Sequence, residues 1–334
     1  MSGTQRVVVD VPVRACDVGG WTDTWFAGSS RVCSLAVGPA VSVAVTATDG
    51  DGEVIVVAPD LDARFAVTDA PPEHRLLAAA VAEAGGASAG RRLEIDITSA
   101  VPPATSLGTS AAVCVGVIAA LDAVRTGAIR PPGDLAAAAH RVESVRIGRQ
   151  SGVQDQQAAA HGGANLIDVD YPSATVTPID LAPDVRAKLD DRLLHVAYGG
   201  GHDSSAVHEQ VIAELEVEGA AATRLERLRL LAGEAHRALA AGDLEAYGRT
   251  LTAATEAQAD LHHALVSADA RAVIDLARNL GSLGWKVNGA AGSSGSLSVL
   301  CRSGAARRRL AQQVRDAGHL PLALLLSDAG ARTR

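Results

Sequence analysis

Residues 101–125 read Val-Pro-Pro-Ala-Thr-Ser-Leu-Gly-Thr-Ser-Ala-Ala-Val-Cys-Val-Gly-Val-Ile-Ala-Ala-Leu-Asp-Ala-Val-Arg, a loop of proline and small residues that opens into a long apolar helix. Ser106, Gly108, Thr109 and Ser110 stand where the helix begins, so free backbone N–H groups and the positive end of the helix dipole converge there. This arrangement favours an anion, and serine or threonine hydroxyls can reach a magnesium ion. The loop lacks the lysine of the usual P-loop. Taken alone, the loop is more typical of a buried helix capped by serine or threonine.

The rest of the chain predicts a mixed α+β fold of two lobes. Strands are predicted at 6–14, 35–48, within 53–68 (two), and at 92–98, 164–169, 174–180, 192–198, 296–301 and 321–327. Helices are predicted at 73–84, after residue 108, and at 133–149, 203–217, 221–241, 244–264, 268–281 and 303–317. We expect an N-terminal lobe of residues 1–170 and a C-terminal lobe of 171–334.

Composition limits the class of protein. The chain has 334 residues, 48% of them hydrophobic, so it can bury a sizeable core. A net charge of -8 without a basic stripe argues against a nucleic-acid partner. The four cysteines are widely separated, as expected for reduced thiols, and the N-terminus lacks the pattern of a signal peptide. We expect a cytoplasmic protein with no membrane partner.

Two further segments of the sequence place charged residues among residues with small side chains. In 152–163, Gly-Val-Gln-Asp-Gln-Gln-Ala-Ala-Ala-His-Gly-Gly, Asp155 is a candidate general base, or alternatively a helix-capping aspartate. In 12–24, Pro-Val-Arg-Ala-Cys-Asp-Val-Gly-Gly-Trp-Thr-Asp-Thr, Arg14 can make forked bonds to an oxygen-rich ligand and Asp23 can accept from two vicinal hydroxyls. The alternative for the second segment is a surface turn after a strand.

A last small-residue loop occupies 284–298, Gly-Trp-Lys-Val-Asn-Gly-Ala-Ala-Gly-Ser-Ser-Gly-Ser-Leu-Ser. Its glycine spacing is weak evidence, because tight turns use the same residues. Lys286 could serve a phosphate, although a surface lysine is the commoner outcome.

Together these four segments resemble the GHMP kinases, the superfamily of galactokinase, homoserine kinase and mevalonate kinase, across almost the whole chain. Pro-Pro-Ala-Thr-Ser-Leu-Gly-Thr-Ser-Ala-Ala is similar to that family's phosphate loop, with Ser106 in place of its first glycine. The resemblance implies a two-lobed fold with ATP and substrate in the crevice between the lobes. It also implies that Ser110 and Glu143 hold Mg²⁺ and that Asp155, with Arg14, is catalytic.

The same resemblance implies two sets of binding residues. Those that would bind ATP are Pro103, Ser106, Leu107, Gly108, Thr109, Ser110 and Ala111. Those that would bind the substrate are Arg14, Gly20, Trp21, Thr22, Asp23, Gln154, Asp155 and Gly292. In the last loop, Ala291, Ser293 and Ser294 stand where the family prefers glycines.

Within the superfamily, the segments around Trp21 and Asp155 look like the branch of fucokinase and heptose 7-phosphate kinase, which implies an ATP-dependent kinase acting on the anomeric hydroxyl of a sugar. The product would be a sugar 1-phosphate, a precursor of nucleotide sugars. Asp203 falls where the family often has arginine, which weakens the case for an already phosphorylated substrate. A kinase for a non-sugar acceptor and a catalytically silent sensor of ATP and sugar stay open, as do the sugar itself and the choice between monomer and homodimer.

Overall fold

The computed structural model describes residues 3–87, 90–199, 205–290 and 292–334, apart from the side chains of 205–207. Its strands are β1 Gln5–Val18, β2 Ser29–Asp49, β3 Val54–Ala58, β4 Ala63–Ala66, β5 Arg91–Ser99, β6 Ala164–Asp170, β7 Ser173–Pro178, β8 Leu193–Tyr198, β9 Gly284–Val287, β10 Gly295–Leu300, β11 Leu320–Leu322, β12 Leu325–Leu326 and β13 Arg332–Thr333. Its helices are α1 Arg75–Glu83, α2 Thr109–Thr126, α3 Pro132–Arg141, α4 Gln154–His161, α5 Pro183–Arg192, α6 Ser205–Glu218, α7 Thr223–Ala240, α8 Leu244–Leu261, α9 Ala268–Asn279 and α10 Gly304–Asp316.

The larger sheet has nine strands, in the order β13-β1-β2-β5-β3-β4, with β12 and the β6–β7 hairpin also attached through β2. Its register is irregular between Ala15 and Val18 of β1, where Cys16 has a φ of +56°. A bulge of this kind bends a strand and redirects its side chains. As a result Arg14 and Asp17, both almost fully buried, reach the wall of a cleft.

Helix α2 lies against the face of this sheet. Gly116 permits the close approach, because a Cβ at that position would lie 2.7 Å from Cγ2 of Val43. By length and apolarity α2 could span a membrane, and it is the one helix among the described residues that could. However, 67% of that span is buried, as in the core helix of a soluble protein.

The smaller sheet has four antiparallel strands in the order β11-β8-β10-β9. Apolar residues of these strands pack against α9 and α10 in a separate core cluster that includes Val196, Val273, Val299 and Leu310. The turn at Tyr171 and Pro172, next to the predicted lobe boundary, joins the paired strands β6 and β7. That boundary stays a prediction.

The predicted α+β fold is confirmed. Helix α2, which was predicted to begin after residue 108, and most of the strands lie where expected. The single helix predicted at 133–149 is wrong: α3 ends at Arg141, and Val142–Arg146 forms a π-helical turn with a hydrogen bond from Ile147 N to Val142 O at 3.2 Å. The strand predicted at 321–327 is divided into β11 and β12. Helices α4 and α5 and strand β9 were not predicted; α4 was missed because amides and alanines dominate its sequence.

Candidate active site

A cleft of about 350 Å³ opens beside the start of α2. Of the residues predicted to function, those that line it are Arg14, Trp21, Asp23, Ser106, Gly108, Thr109, Ser110, Ala111, Glu143, Gln154 and Asp155. These residues lie between positions 14 and 155, so the fold brings four separate parts of the sequence together: 14–23, 106–111, 143 and 154–155. Their number favours a functional cleft over a packing defect.

The start of α2 has no side-chain cap. Gly108 is the N-cap residue with a φ of +76°, and no side chain bonds to the first turn of the helix. The alternative of a helix capped by serine or threonine therefore does not form here. The first N–H groups of the helix are left to a ligand or water, which is the geometry of an anion site.

Ser106 occupies the left-handed region, with a φ of +54°. Glycine adopts this conformation without strain, whereas a residue with a Cβ does not. This explains why the phosphate loop that the sequence resembles has a glycine at that position. The structure retains the turn with serine, at a cost in strain.

Asp155 lies in the first turn of α4 and faces the start of α2. A Cβ added to Gly108 would lie 2.9 Å from the carboxyl carbon of Asp155, so the carboxylate sits directly against the phosphate loop. Oδ1 of Asp155 accepts a hydrogen bond from Nε of Arg14 at 2.7 Å. The N-cap of α4 is Val153 and has no side-chain cap, so Asp155 is not the helix-capping aspartate of the alternative interpretation.

Arg14 is held from several sides. Its Nη1 donates to the carbonyl of Ser106 at 2.5 Å and lies 3.7 Å from Oδ1 of Asp17, and its backbone N–H donates to the carbonyl of Leu107 at 3.0 Å. Burial opposes its charge, but Asp155 and Asp17 outweigh burial and hold the pKa of Arg14 above its ordinary value. Arg14 is therefore a fixed cation that orients both Asp155 and the phosphate loop.

Glu143 belongs to the π-helical turn and is 5% exposed. Burial, followed by the charge of Asp155, raises the pKa of Glu143 to about 6. Its Oε2 accepts from Ser151 at 3.2 Å and from the amide of Gln156, whereas the one described group near Oε1 is the guanidinium of Arg149 at 3.7 Å. π-helical turns are frequent at functional sites, and this one points a carboxylate into the cleft.

These groups fit Mg²⁺ bound together with a nucleotide. A cation stabilises the ionised form of a buried carboxylate that has one poorly bonded oxygen, as Glu143 does. Mg²⁺ is commonly bound by one or two carboxylates, a hydroxyl and phosphate oxygens. No cluster of three or more His, Cys, Asp or Glu that could hold a metal alone occurs in the described part of the chain. Glu143 and Ser110, which line the same cleft, are the protein groups that would hold the ion.

We call the part of the cleft formed by Trp21, Asp23, Thr24, Gln154 and His208 the acceptor end. Asp23 is 2% exposed and its Oδ2 accepts from the backbone N–H of Gln154 at 3.0 Å. Burial first, and then the charge of Asp155, raises the pKa of Asp23 to about 6 despite that bond. These burials exclude the surface turn that was the alternative for residues 12–24.

Two polar atoms at the acceptor end are buried without a hydrogen-bond partner among the described residues, Nε1 of Trp21 and Oε1 of Gln154. The Trp21 ring packs on His208 with centroids 5.1 Å apart, and the backbone of Trp21 has a φ of +74°. Strained backbone and unpaired buried polar atoms occur preferentially at functional sites. The donor and acceptor are matched to a ligand with hydroxyl groups.

The other predicted residues lie behind or beside the cleft wall. Thr22 is buried and donates to the carbonyl of Gly19 at 2.7 Å, Gly20 packs on the carboxylate of Asp17, and Leu107 is fully buried. Pro103 lines a neighbouring cavity of about 160 Å³, and Gly292 forms a β-bridge with Val266. Asp203 and Ala291 lie outside the described residues.

Sequence reasoning missed Asp17 and misjudged Lys286. Lys286 is 2% exposed, not a surface lysine: its Nζ donates to Oε1 of Gln258 at 2.8 Å and lies 3.7 Å from Asp17. Burial lowers the pKa of Lys286, partly offset by Asp17. Asp17 also accepts from the backbone N–H of Gly289, at 3.0 Å to its Oδ2, so it ties β1 to the loop after β9. The one indication of this role in the sequence is that Asp17 stands between apolar and small residues.

Comparison with known proteins agrees with this geometry. Residues 75–163, which include the phosphate loop, Glu143 and Asp155, match the model of the GHMP kinases N-terminal domain. This part of the chain is therefore similar to the N-terminal domain of the GHMP kinases. The fold of the whole chain is also similar to that of solved GHMP kinases, in agreement with the resemblance seen in the sequence.

Three solved structures illustrate the likeness of fold. A D-glycero-D-manno-heptose 1-phosphate kinase from Bacteroides thetaiotaomicron is 16% identical with a TM-score of 0.74, covering 98% of each chain. Lactococcus lactis galactokinase in complex with galactose is 18% identical with a TM-score of 0.73, covering 98% of this chain and 95% of the other. Methanococcus jannaschii mevalonate kinase is 15% identical with a TM-score of 0.71, covering 98% and 99%. No curated protein sequence matches significantly.

Proposed function

We propose that this protein is an ATP- and magnesium-dependent kinase that phosphorylates a sugar at its anomeric hydroxyl. The observation that carries the proposal is the contact of the Asp155 carboxylate with Gly108 at the uncapped start of α2. Phosphoryl transfer depends mainly on positioning and on neutralising charge, and here an anion site and a carboxylate face one another across a few ångströms. The similarity to the N-terminal domain of the GHMP kinases supports the same assignment.

The roles of the protein groups follow from their contacts. The backbone at the start of α2 would hold the phosphates, and Glu143 with Ser110 would hold the magnesium ion, which neutralises phosphate charge when bound. Arg14 fixes Oδ1 of Asp155, while Oδ2 lies next to Gly108 without a hydrogen bond from any described residue. This second oxygen would accept or orient the proton of the incoming hydroxyl.

The charges at the acceptor end favour a neutral sugar. Among the cleft-lining residues that the structure describes, the lasting cations are Arg14, which Asp155 and Asp17 already neutralise, and Arg149, which lies beside Glu143. The undescribed residues contribute no lysine or arginine. Burial lowers the pKa of His208, so that side chain is neutral at pH 7. At the acceptor end itself, a sugar phosphate or an acid would therefore face Asp23 with no lysine or arginine among the residues that form that end.

The test is an ADP-release assay over free sugars, sugar phosphates, mevalonate and homoserine, with the phosphorylated position of any product determined by NMR. We expect turnover of a free sugar and phosphate on C1. Turnover of only mevalonate or homoserine would establish the non-sugar alternative. ATP and sugar binding without any turnover would establish the silent sensor.

Replacement of Asp155 by Asn tests the catalytic carboxylate. We expect turnover to fall by a factor on the order of 10² to 10⁴, the usual contribution of a general base, while ATP binding is retained. Asn keeps an oxygen for Arg14, so the loop geometry should survive. Near-normal turnover of this variant would refute the role of Asp155.

A further inference from the structure

Arg149 stands in the short segment between the π-helical turn and α4, a position for which the sequence predicted no function. Its backbone N–H donates to the carbonyl of Glu143 at 2.8 Å, which anchors the residue at the cleft. Its side chain lines the cleft and is 49% exposed, whereas the partner carboxylate of Glu143 is 6% exposed. A half-exposed guanidinium thus lies beside a buried acid.

The two cleft arginines differ in how many of their donors are used. Arg14 is bonded to Asp155 and to the carbonyl of Ser106. Arg149 lies 3.7 Å from Glu143, within the range of an ion pair but beyond that of a hydrogen bond. Among the described residues, the guanidinium of Arg149 has no hydrogen-bond acceptor, whereas Nε and Nη1 of Arg14 are both bonded, so Arg149 has more N–H donors free for a ligand.

We propose that Arg149 is a phosphate-binding residue that contacts the polyphosphate of the bound nucleotide. This inference rests on the kinase function proposed above. The phosphate loop has no lysine, so apart from its backbone N–H groups and the proposed magnesium ion it supplies no charge to balance a triphosphate. A guanidinium is well suited to bind phosphate through two parallel hydrogen bonds. A metal ion on Glu143 would compete for the carboxylate that now faces Arg149, and the exposed side chain has room to turn to the phosphates.

The test compares the binding of ATP with that of adenosine, by calorimetry in the presence of Mg²⁺, for the intact protein and for Arg149→Ala. We expect the Kd of ATP to rise on the order of tenfold, as for the loss of one charge-assisted hydrogen bond, and the Kd of adenosine to stay unchanged. Arg149→Lys should recover part of the loss, because it keeps the charge but not the paired geometry. If Arg149→Ala does not fold, Arg149→Gln carries the same comparison.

Arg146→Ala is the matched control. Arg146 lies three residues earlier and has similar exposure, 43%, but its Nε bonds Glu83 at 2.6 Å, and Arg146 does not line the cleft. We expect its ATP affinity to equal that of the intact protein.

Three outcomes would overturn the inference: unchanged ATP affinity in Arg149→Ala, an equal loss for adenosine, or a loss confined to the KM of the sugar. If the intact protein itself fails to bind ATP, the proposed function fails and not only the role of Arg149.

Discussion

Replacing Glu143 by Gln should stabilise the ligand-free protein at neutral and higher pH. Burial and the nearby charge of Asp155 raise the pKa of Glu143 from 4.5 to about 6, a difference of about 1.5 units. At 1.36 kcal/mol per unit, the ionised carboxylate lowers the free energy of unfolding by about 2 kcal/mol at pH 8. Gln removes the charge and keeps an oxygen for the amide of Gln156.

The sign of the pH dependence follows from the raised pKa. Between pH 4.5 and 6 the folded protein binds the proton of Glu143 more tightly than the unfolded chain does. The contribution of Glu143 to stability is therefore complete below pH 4.5 and is lost as the pH rises through 6. The advantage of Glu143→Gln should accordingly grow from near zero at pH 4.5 to about 2 kcal/mol at pH 8.

The assay is urea unfolding followed by tryptophan fluorescence at the two pH values, without metal or nucleotide. Glu83→Gln is a control of opposite sign: burial acts to raise the pKa of Glu83, but hydrogen bonds from Arg146 and Arg141 outweigh it and hold that pKa below 4.5. Glu83→Gln should therefore lose stability at pH 8. A Glu143 variant that is less stable than the intact protein at pH 8, or whose advantage does not change with pH, would refute the reasoning.

Two substitutions test the phosphate loop. Gly108→Ala should reduce turnover severely, because its Cβ would lie 2.9 Å from the carboxyl carbon of Asp155. The control is Gly127→Ala at the other end of α2, where φ is +80° and no atom lies within 4 Å of an added Cβ. This variant should lose about 1 kcal/mol of stability without loss of turnover. Equal turnover of the two variants in the ADP-release assay would contradict the placement of Asp155. Ser106→Gly should raise the free energy of unfolding by up to about 1 kcal/mol, because glycine removes the strain at a φ of +54°. The control Ser110→Gly, within α2, should lower the free energy of unfolding by a similar amount. A destabilised Ser106→Gly would show by urea unfolding that the serine side chain is needed for more than the turn.

The sequence was most informative where one segment carries both a local pattern and its chemistry. Residues 103–126 combine a small-residue loop, a glycine at a helix start and an apolar helix, so both the element and its candidate role could be predicted. Asp155 and Asp23 could be nominated because each stands among amides or small residues and not in a run of charged residues of the kind that forms a solvated face.

The rest depends on contacts between distant parts of the chain. Lys286 meets Asp17 across 269 positions, and no local pattern distinguishes a buried lysine from an exposed one. The break of α3 at Arg141 was equally hidden, because residues 142–146 continue a helical pattern while a wider π-helical turn turns Glu143 into the cleft. Arg149 became a candidate only because that turn places it beside Glu143 and because Nε and Nη1 of Arg14 are already bonded, and both are properties of the folded chain.

The most direct test of the account is a crystal structure of the protein with Mg²⁺ and a non-hydrolysable ATP analogue. We predict the phosphates against the backbone N–H groups at the start of α2, the metal ion on Glu143 and Ser110, and the Asp155 carboxylate facing the terminal phosphate across an open acceptor end. A nucleotide bound outside this cleft would contradict the central claim. So would phosphates that lie farther from Gly108 than the length of one residue along the chain.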